Sequence, residues 1–222
     1  VLNADDPQAM SLVSSTGCRN IQTFSLDSTD GDWQASQLRS CGLESSFILR
    51  GPGGIRQQVR LPVPGRHNVK NALAAAALCS WAGVPPEKIS MALASFPGVH
   101  RRFEILSRTP VTVIDDYAHH PTEVKALLAA ARDADFPGRV IGVFQPHQYS
   151  RLRKMLKEFA GALEGFDEVL VTRPYQARDS REDCAAVNSG MLTRAIAALG
   201  GEVYDTPSSA DVRARLDETA RE

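Results

Sequence analysis

At positions 115–123 the chain reads DDYAHHPTE: two adjacent acids, a tyrosine and two adjacent histidines, set between an apolar run and one rich in Ala and Leu. Imidazoles accept and release protons near neutral pH, and carboxylates hold cations and hydroxyl groups. A second polar group, QPHQYSR at 145–151, follows the next apolar run. Two more lie earlier, GRHNVKN at 65–71 and VHRRFE at 99–104, and all five histidines fall in these four segments.

A protein-bound metal is one chemistry for such a set, because His and carboxylates are common ligands. The spacing matches neither HExxH nor a zinc finger, so no metal ligands are assigned. The plainer reading, histidines as helix caps and core hydrogen-bonding groups, accounts for one or two of them and less well for four polar clusters in loops. Asn68 and Asn71 lie three apart at a helix start and share a face. An amide offers a donor and an acceptor together, which suits the edge of an adenine. Asn68 as a helix cap with Asn71 solvated explains the same residues. Arg101 and Arg102 are neighbours, and in an extended segment they point to opposite sides, one toward a phosphate and the other toward an acid. A surface ion pair is the alternative there. Neither GxxxxGK[ST] nor GxGxxG occurs, so a main phosphate cradle for ATP is expected outside this sequence. GxSxG is absent too, and no cysteine sits in an activating setting.

The elements that must position these residues change character along the chain. The first sixty residues hold short β-like runs, IQTFSL, SSFILR and QQVRLPV, with GPGG at 51–54 as a hairpin turn. HNVKNALAAAALCSWAG predicts a helix ended by Gly83, and PPEKISMALASF a second with Pro86 near its start. From about Arg108, strands VTVID, RVIGVF, EVLVT and GEVYD alternate with helical stretches. One of these, YSRLRKMLKEFAGAL, predicts a single helix with an apolar stripe of Leu152, Met155, Leu156, Phe159 and Leu163. Short apolar strands alternating with helices predict an α/β fold whose second part is a Rossmann-like parallel sheet covered on both faces. The boundary is placed at 107/108. Ligands of such sheets bind beyond the carboxyl ends of the strands, which puts DDYAHHPTE and QPHQYSR on one rim.

Composition narrows the function. A formal net charge of −1 on 222 residues carries no footprint for nucleic acid or an anionic membrane. No apolar run is long enough to span a bilayer. Four scattered cysteines without a CxxC pair fit a reducing cytoplasm. The opening VLN reads as the end of a strand and the close ADVRARLDETARE as a helix without a following strand, so a fragment of a longer enzyme is expected.

In order, VLNADDP, GRHNVKNALAAAA, FPGVHRRFE, VIDDYAHHPTEV and GVFQPHQYSR resemble the Mur ligase family, over 1 to about 178. The DDYAHHPTE and FQPHQYSR pair resembles its UDP-N-acetylmuramate–L-alanine branch. The resemblance implies that 1–107 is the back part of a central ATPase domain and 108–222 the Rossmann-like C-terminal domain, lacking a last strand. It implies an ATP- and Mg²⁺-dependent amide ligase of peptidoglycan precursor synthesis, with UDP-N-acetylmuramate and L-alanine as substrates and an acyl phosphate between them. The metal ligands, phosphate loop and UDP-sugar domain would lie upstream, leaving this stretch inactive alone, and turnover would require domain closure. By position, His67, Asn68 and Asn71 match the adenine pocket, Arg102 the residue reaching the ATP phosphates, and Asp116 the acid on the ribose. Tyr117, His119, His147 and Arg151 match residues around the alanine and the acyl phosphate. Arg151 is assigned to the alanine carboxylate, and Arg102, His119 and His147 to catalysis, while His120 caps or orients its helix. Many relatives carry a second arginine where this chain has Gln148, which brings no charge to such a clamp. Three other readings remain: a ligase recycling murein tripeptide, a non-catalytic Mur-like binding subunit and a plain nucleotide-binding Rossmann domain.

Overall fold

Strict alternation along β4 (Glu44–Gly51) buries Ser45, Phe47 and Leu49 on one face, and β5 (Ile55–Leu61) places Val59 opposite Phe47 across an antiparallel ladder. The turn between them is the GPGG segment, with Gly53 at φ 69 and Gly54 at φ 80. These two strands end a five-stranded sheet in the order β1 (Leu2–Asn3), β2 (Thr23–Ser25), β3 (Trp33–Cys41), β4, β5. The β1–β2 and β2–β3 pairs are parallel, and β3–β4 and β4–β5 antiparallel. Between β1 and β2 runs α1 (Pro7–Ser11), whose N-terminal amides are capped by Asp6.

Two helices complete this core: α2 (Arg66–Trp81), which buries Val69, Ala72, Leu73, Ala76 and Ala77, and α3 (Pro86–Ala94), which buries Ile89. Those side chains close over Trp33, Phe47, Leu49, Val59 and Leu61. The sequence does not predict β3, because Trp33 is its one fully buried side chain and a bulge between Ser36 and Arg39 breaks its alternation.

The computed structural model describes residues 1–219, in two compact units: Val1–Asp116 with Asp133–Asp135, and Tyr117–Arg132 with Phe136 onward. The last letters of ADVRARLDETARE, 220–222, lie outside those described. In the first unit, β6 (Glu104–Ser107) pairs antiparallel with β7 (Val113–Asp115). VTVID therefore forms a strand, but its ladder partner among the described residues is β6 and not RVIGVF. Three residues with mostly exposed or half-buried side chains make a short hairpin arm rather than a core strand.

The second unit is built on a parallel sheet ordered β10 (Val203–Asp205), β9 (Glu168–Val171), β8 (Ile141–Phe144). Central β9 is buried along its whole length, so both faces are covered, the Rossmann-like arrangement expected. The helices are α4 (Pro121–Asp133), α5 (Tyr149–Lys154), α6 (Leu156–Leu163), α7 (Arg181–Ala186), α8 (Ser189–Ala198) and α9 (Ser209–Thr219). The single helix expected over 149–163 is two, broken at Met155 with φ −125 and ψ 29. The break lets Leu152 of α5 and Phe159 and Leu163 of α6 all reach one core. No Gly or Pro stands at Met155 to announce it.

Candidate active site

In the first unit the approach to α2 turns at Gly65, φ 94, a conformation that side chains rarely adopt. No side chain caps α2. Asn68 instead reaches back, its Nδ2 donating to the Pro64 carbonyl at 2.7 Å, and fixes the loop before the helix. Asn71 is exposed one turn on. Lys70, on the same turns, ties α2 to the sheet loops through Asp5 at 3.0 Å and Asp27 at 2.9 Å. Burial opposes ionisation of Asp5, but hydrogen bonds from Ser25, the Leu26 amide and Lys70 outweigh it and hold the carboxyl well below the usual range.

VHRRFE is not extended. Arg101 has φ 57 and Phe103 φ 48, so the two arginines sit in a tight turn rather than on opposite sides of a strand. Positive φ at non-glycine residues costs about 1–2 kcal/mol each. The Arg101 amide donating to Glu104 at 2.8 Å and the Phe103 amide donating to Asp116 at 2.8 Å hold the turn, and the Phe103 ring is buried. The Arg101 guanidinium bonds Asp115 at 3.2 Å, and Arg102 is exposed. His67, Asp116 and Arg102 are close enough to couple. Burial pushes the His67 imidazole below its ordinary value, the Asp116 carboxylate opposing and the Arg102 guanidinium adding to the effect. An imidazole, a guanidinium and a carboxylate thus lie within electrostatic reach of one another near the start of α2, a set with a cation for phosphate and an acceptor for hydroxyls.

In the second unit Tyr117, His119, His147 and Arg151 come together. The Tyr117 and His119 rings are 4.9 Å apart edge to face, and the His119 and His147 rings 6.1 Å apart. His119 Nδ1 lies 2.8 Å from the Tyr117 carbonyl, a contact in which Nδ1 carries a proton. Glu123 accepts from the His119 and His120 amides at 2.9 and 3.2 Å, and His120 Nδ1 accepts from the Thr122 amide at 3.3 Å. HHPTE therefore works as a capping box for α4. Arg151 donates to the His119 and His147 carbonyls at 3.4 and 3.2 Å and so joins the two loops, with guanidinium donors left for a ligand. Convergence of the loops comes from Arg151 and the ring contacts, not from a shared rim, since β7 is paired elsewhere.

Gln148 occupies φ 76 at the start of α5 and donates Nε2 to the Ala177 carbonyl at 3.1 Å. Its amide braces a loop. Burial, with repulsion from Arg151 and His119 and partial opposition from Asp179, holds His147 below its ordinary value of 6.5.

Sequence reasoning missed two residues of this cluster. The Tyr175 ring stacks on His147 with centroids 5.3 Å apart and planes 17° apart. Asp179 accepts from the Ser150 and Ala177 amides at 2.9 and 3.0 Å and so caps α5; burial raises its carboxyl, but these bonds prevail and hold it below its usual range. Both lie in RPYQARD, directly beyond the carboxyl end of β9, so the strand-end rule applied to a third strand would have found them.

Among the described residues, no group of three or more His, Cys, Asp or Glu is arranged to hold a metal. No helix there is long and apolar enough to cross a membrane.

Residues 101–221 match the family model described as Mur ligase, glutamate ligase domain, and residues 1–79 match the Mur ligase middle domain. Among curated proteins, the UDP-N-acetylmuramate–L-alanine ligase of Acetivibrio thermocellus is 38% identical over 207 residues, covering 92% of this chain and 43% of that protein. The Stenotrophomonas maltophilia protein of the same name is 41% identical over 206 residues, covering 90% and 42%. The crystal structure of the UDP-N-acetylmuramate–alanine ligase from Thermotoga maritima is similar with a TM-score of 0.67 and 34% identity, covering 84% of this chain and 39% of that one. The chain spans less than half the length of the curated relatives it matches.

Proposed function

The chain belongs to the Mur ligase family, and from that membership we propose that it forms part of an ATP-dependent ligase joining L-alanine to UDP-N-acetylmuramate in the cytoplasm. The observation that carries the reading is Arg151, whose guanidinium bridges the backbones of the two histidine motifs. Similarity to relatives bearing that enzyme's name supports the substrate pair.

In this proposal 1–107 belong to the central ATPase domain and 108–222 to the C-terminal domain, and Asp116 from the start of the latter serves the nucleotide. ATP activates the muramoyl carboxylate as an acyl phosphate, because a carboxylate oxygen is too poor a leaving group for an amine to displace. The first unit fits a nucleotide: His67, Asn68 and Asn71 hold the adenine, Asp116 accepts from the ribose and Arg102 contacts the phosphates. Mg²⁺ accompanies the ATP, and its ligands are expected from residues outside this sequence. In the second unit Arg151 holds the alanine carboxylate, a charge-assisted contact of about 1.5–3 kcal/mol. Tyr117, His119 and His147 surround the amine and the carbonyl under attack. Positioning and electrostatics supply most of such catalysis.

The test is product formation by the full-length protein from ATP, UDP-N-acetylmuramate and L-alanine, with murein tripeptide as a competitor. Alanine should be the preferred acceptor; preference for the tripeptide sinks the substrate assignment. Arg102→Ala should lower kcat by about a hundredfold, the scale of one preorganised phosphate donor. An unchanged kcat removes that role.

A further inference from the structure

Of the rings around His147, that of Tyr175 lies nearest, and nothing in the assignments above uses it. It lies nearly parallel to the imidazole, 5.3 Å between centroids and 17° between planes. Its backbone is fixed on both sides: the Tyr175 amide donates to the Pro146 carbonyl at 2.8 Å, and the Gln148 amide donates to the Tyr175 carbonyl at 3.0 Å. His147 and Tyr175 thus form a one-residue parallel bridge. Two residues on, Gln148 Nε2 holds the Ala177 carbonyl, and Asp179 ties the same loop to the first turn of α5. The loop beyond β9 is therefore latched to the loop beyond β8 from Pro146 to Ser150. Yet Tyr175 is 54% exposed, so burial in a core does not account for its placement.

We propose that Tyr175 is a positioning residue, whose ring and paired backbone hold His147 in the pose from which its imidazole takes a proton from the incoming amine. The inference rests on the reading of this cluster as the amino-acid end of the ligase. The ammonium gives one proton to His147, and the freed lone pair forms the C–N bond to the acyl phosphate carbonyl. Collapse breaks the C–O bond, phosphate leaves with the electron pair, and the second nitrogen proton passes to solvent. An acceptor for this step must be neutral. Removal of water from the ring favours the neutral form most, then the cationic Arg151 and the neighbouring His119; Asp179 opposes, and Tyr117, Tyr175 and Glu123 are further titratable groups nearby. A face covered by Tyr175 is a face closed to water.

Protonation is read directly by titrating the histidine ring protons of this chain by NMR, with His147 assigned from a His147→Gln sample. Tyr175→Ala should move the His147 midpoint to higher pH, because water regains one face, while Tyr175→Phe should keep it at the wild-type position. In the full-length protein Tyr175→Ala should lower kcat about tenfold or more, the scale of a misplaced reacting group. It should also move the acid limb of kcat/KM for L-alanine to higher pH, with Tyr175→Phe restoring both. A His147 midpoint indifferent to loss of the ring overturns the inference whatever the ligase does. A midpoint that moves in a protein unable to use any amino acid leaves Tyr175 as the residue that sets the His147 environment and removes the ligase reading instead.

Discussion

At the amino end of β9, Glu168 is fully buried and answered by Arg139 at 2.9 Å and Arg215 at 2.7 Å, with Thr219 beside it and Arg215 lying over the Tyr204 ring. At the carboxyl end of the same sheet, beyond Phe144 and Val171, the charged and aromatic side chains are half-buried or exposed, and Arg151 bonds carbonyls rather than a carboxylate. The two ends spend similar residue types on different things. A buried carboxylate matched by two guanidinium groups on α9 and the approach to β8 closes the unit, whereas Arg151, bonded to carbonyls among rings at strand ends, keeps guanidinium donors for the ligand that the proposed function gives it.

Substitutions at each end sharpen that contrast. Glu168→Ala should have the largest effect on stability, about 3 kcal/mol, since it breaks a buried ion cluster whose arginines can partly rehydrate. Chemical denaturation measures it, and the alanine KM of the protein that remains folded should be unaltered. Arg151→Ala should show the reverse, raising the alanine KM about ten- to a hundredfold while the denaturation midpoint stays near that of the parent. An unaltered KM would place the carboxylate elsewhere. Asp179→Asn, which weakens the cap of α5, should cost about 1 kcal/mol. The folded pKa of Asp179 is depressed, so its contribution is present above the unfolded value and lost as pH falls through the folded one. The parent and Asp179→Asn proteins should therefore converge in stability in acid, and a difference that persists there argues against the carboxylate as the stabilising group.

Much of this was legible beforehand. The Ala-rich helix beginning near His67, the GPGG turn and the buried run EVLV each follow from composition and period. The meeting of His119 with His147 was anticipated on the ground that both follow apolar strands. That ground was incomplete, because β7 pairs with β6 and the loops are joined by Arg151, an interaction with no period in the sequence. Gln148 shows the same limit: its type suggests a weaker ligand, but its conformation and bond to Ala177 show a brace. The strand-end rule could have placed Tyr175 and Asp179 beside the site, but not given their roles, which are defined by residues some thirty positions earlier in the chain. Contacts of that kind depend on the third dimension, and local propensity carries no trace of them.

The most direct test is a crystal structure of the full-length protein with L-alanine and a non-hydrolysable ATP analogue bound. The account places the alanine carboxylate on the Arg151 guanidinium, with the amine beside His147 and the nucleotide phosphates at Arg102. Alanine bound away from Arg151 and His147, or side chains of Asp116, His147 and Arg151 turned from their ligands, would contradict it.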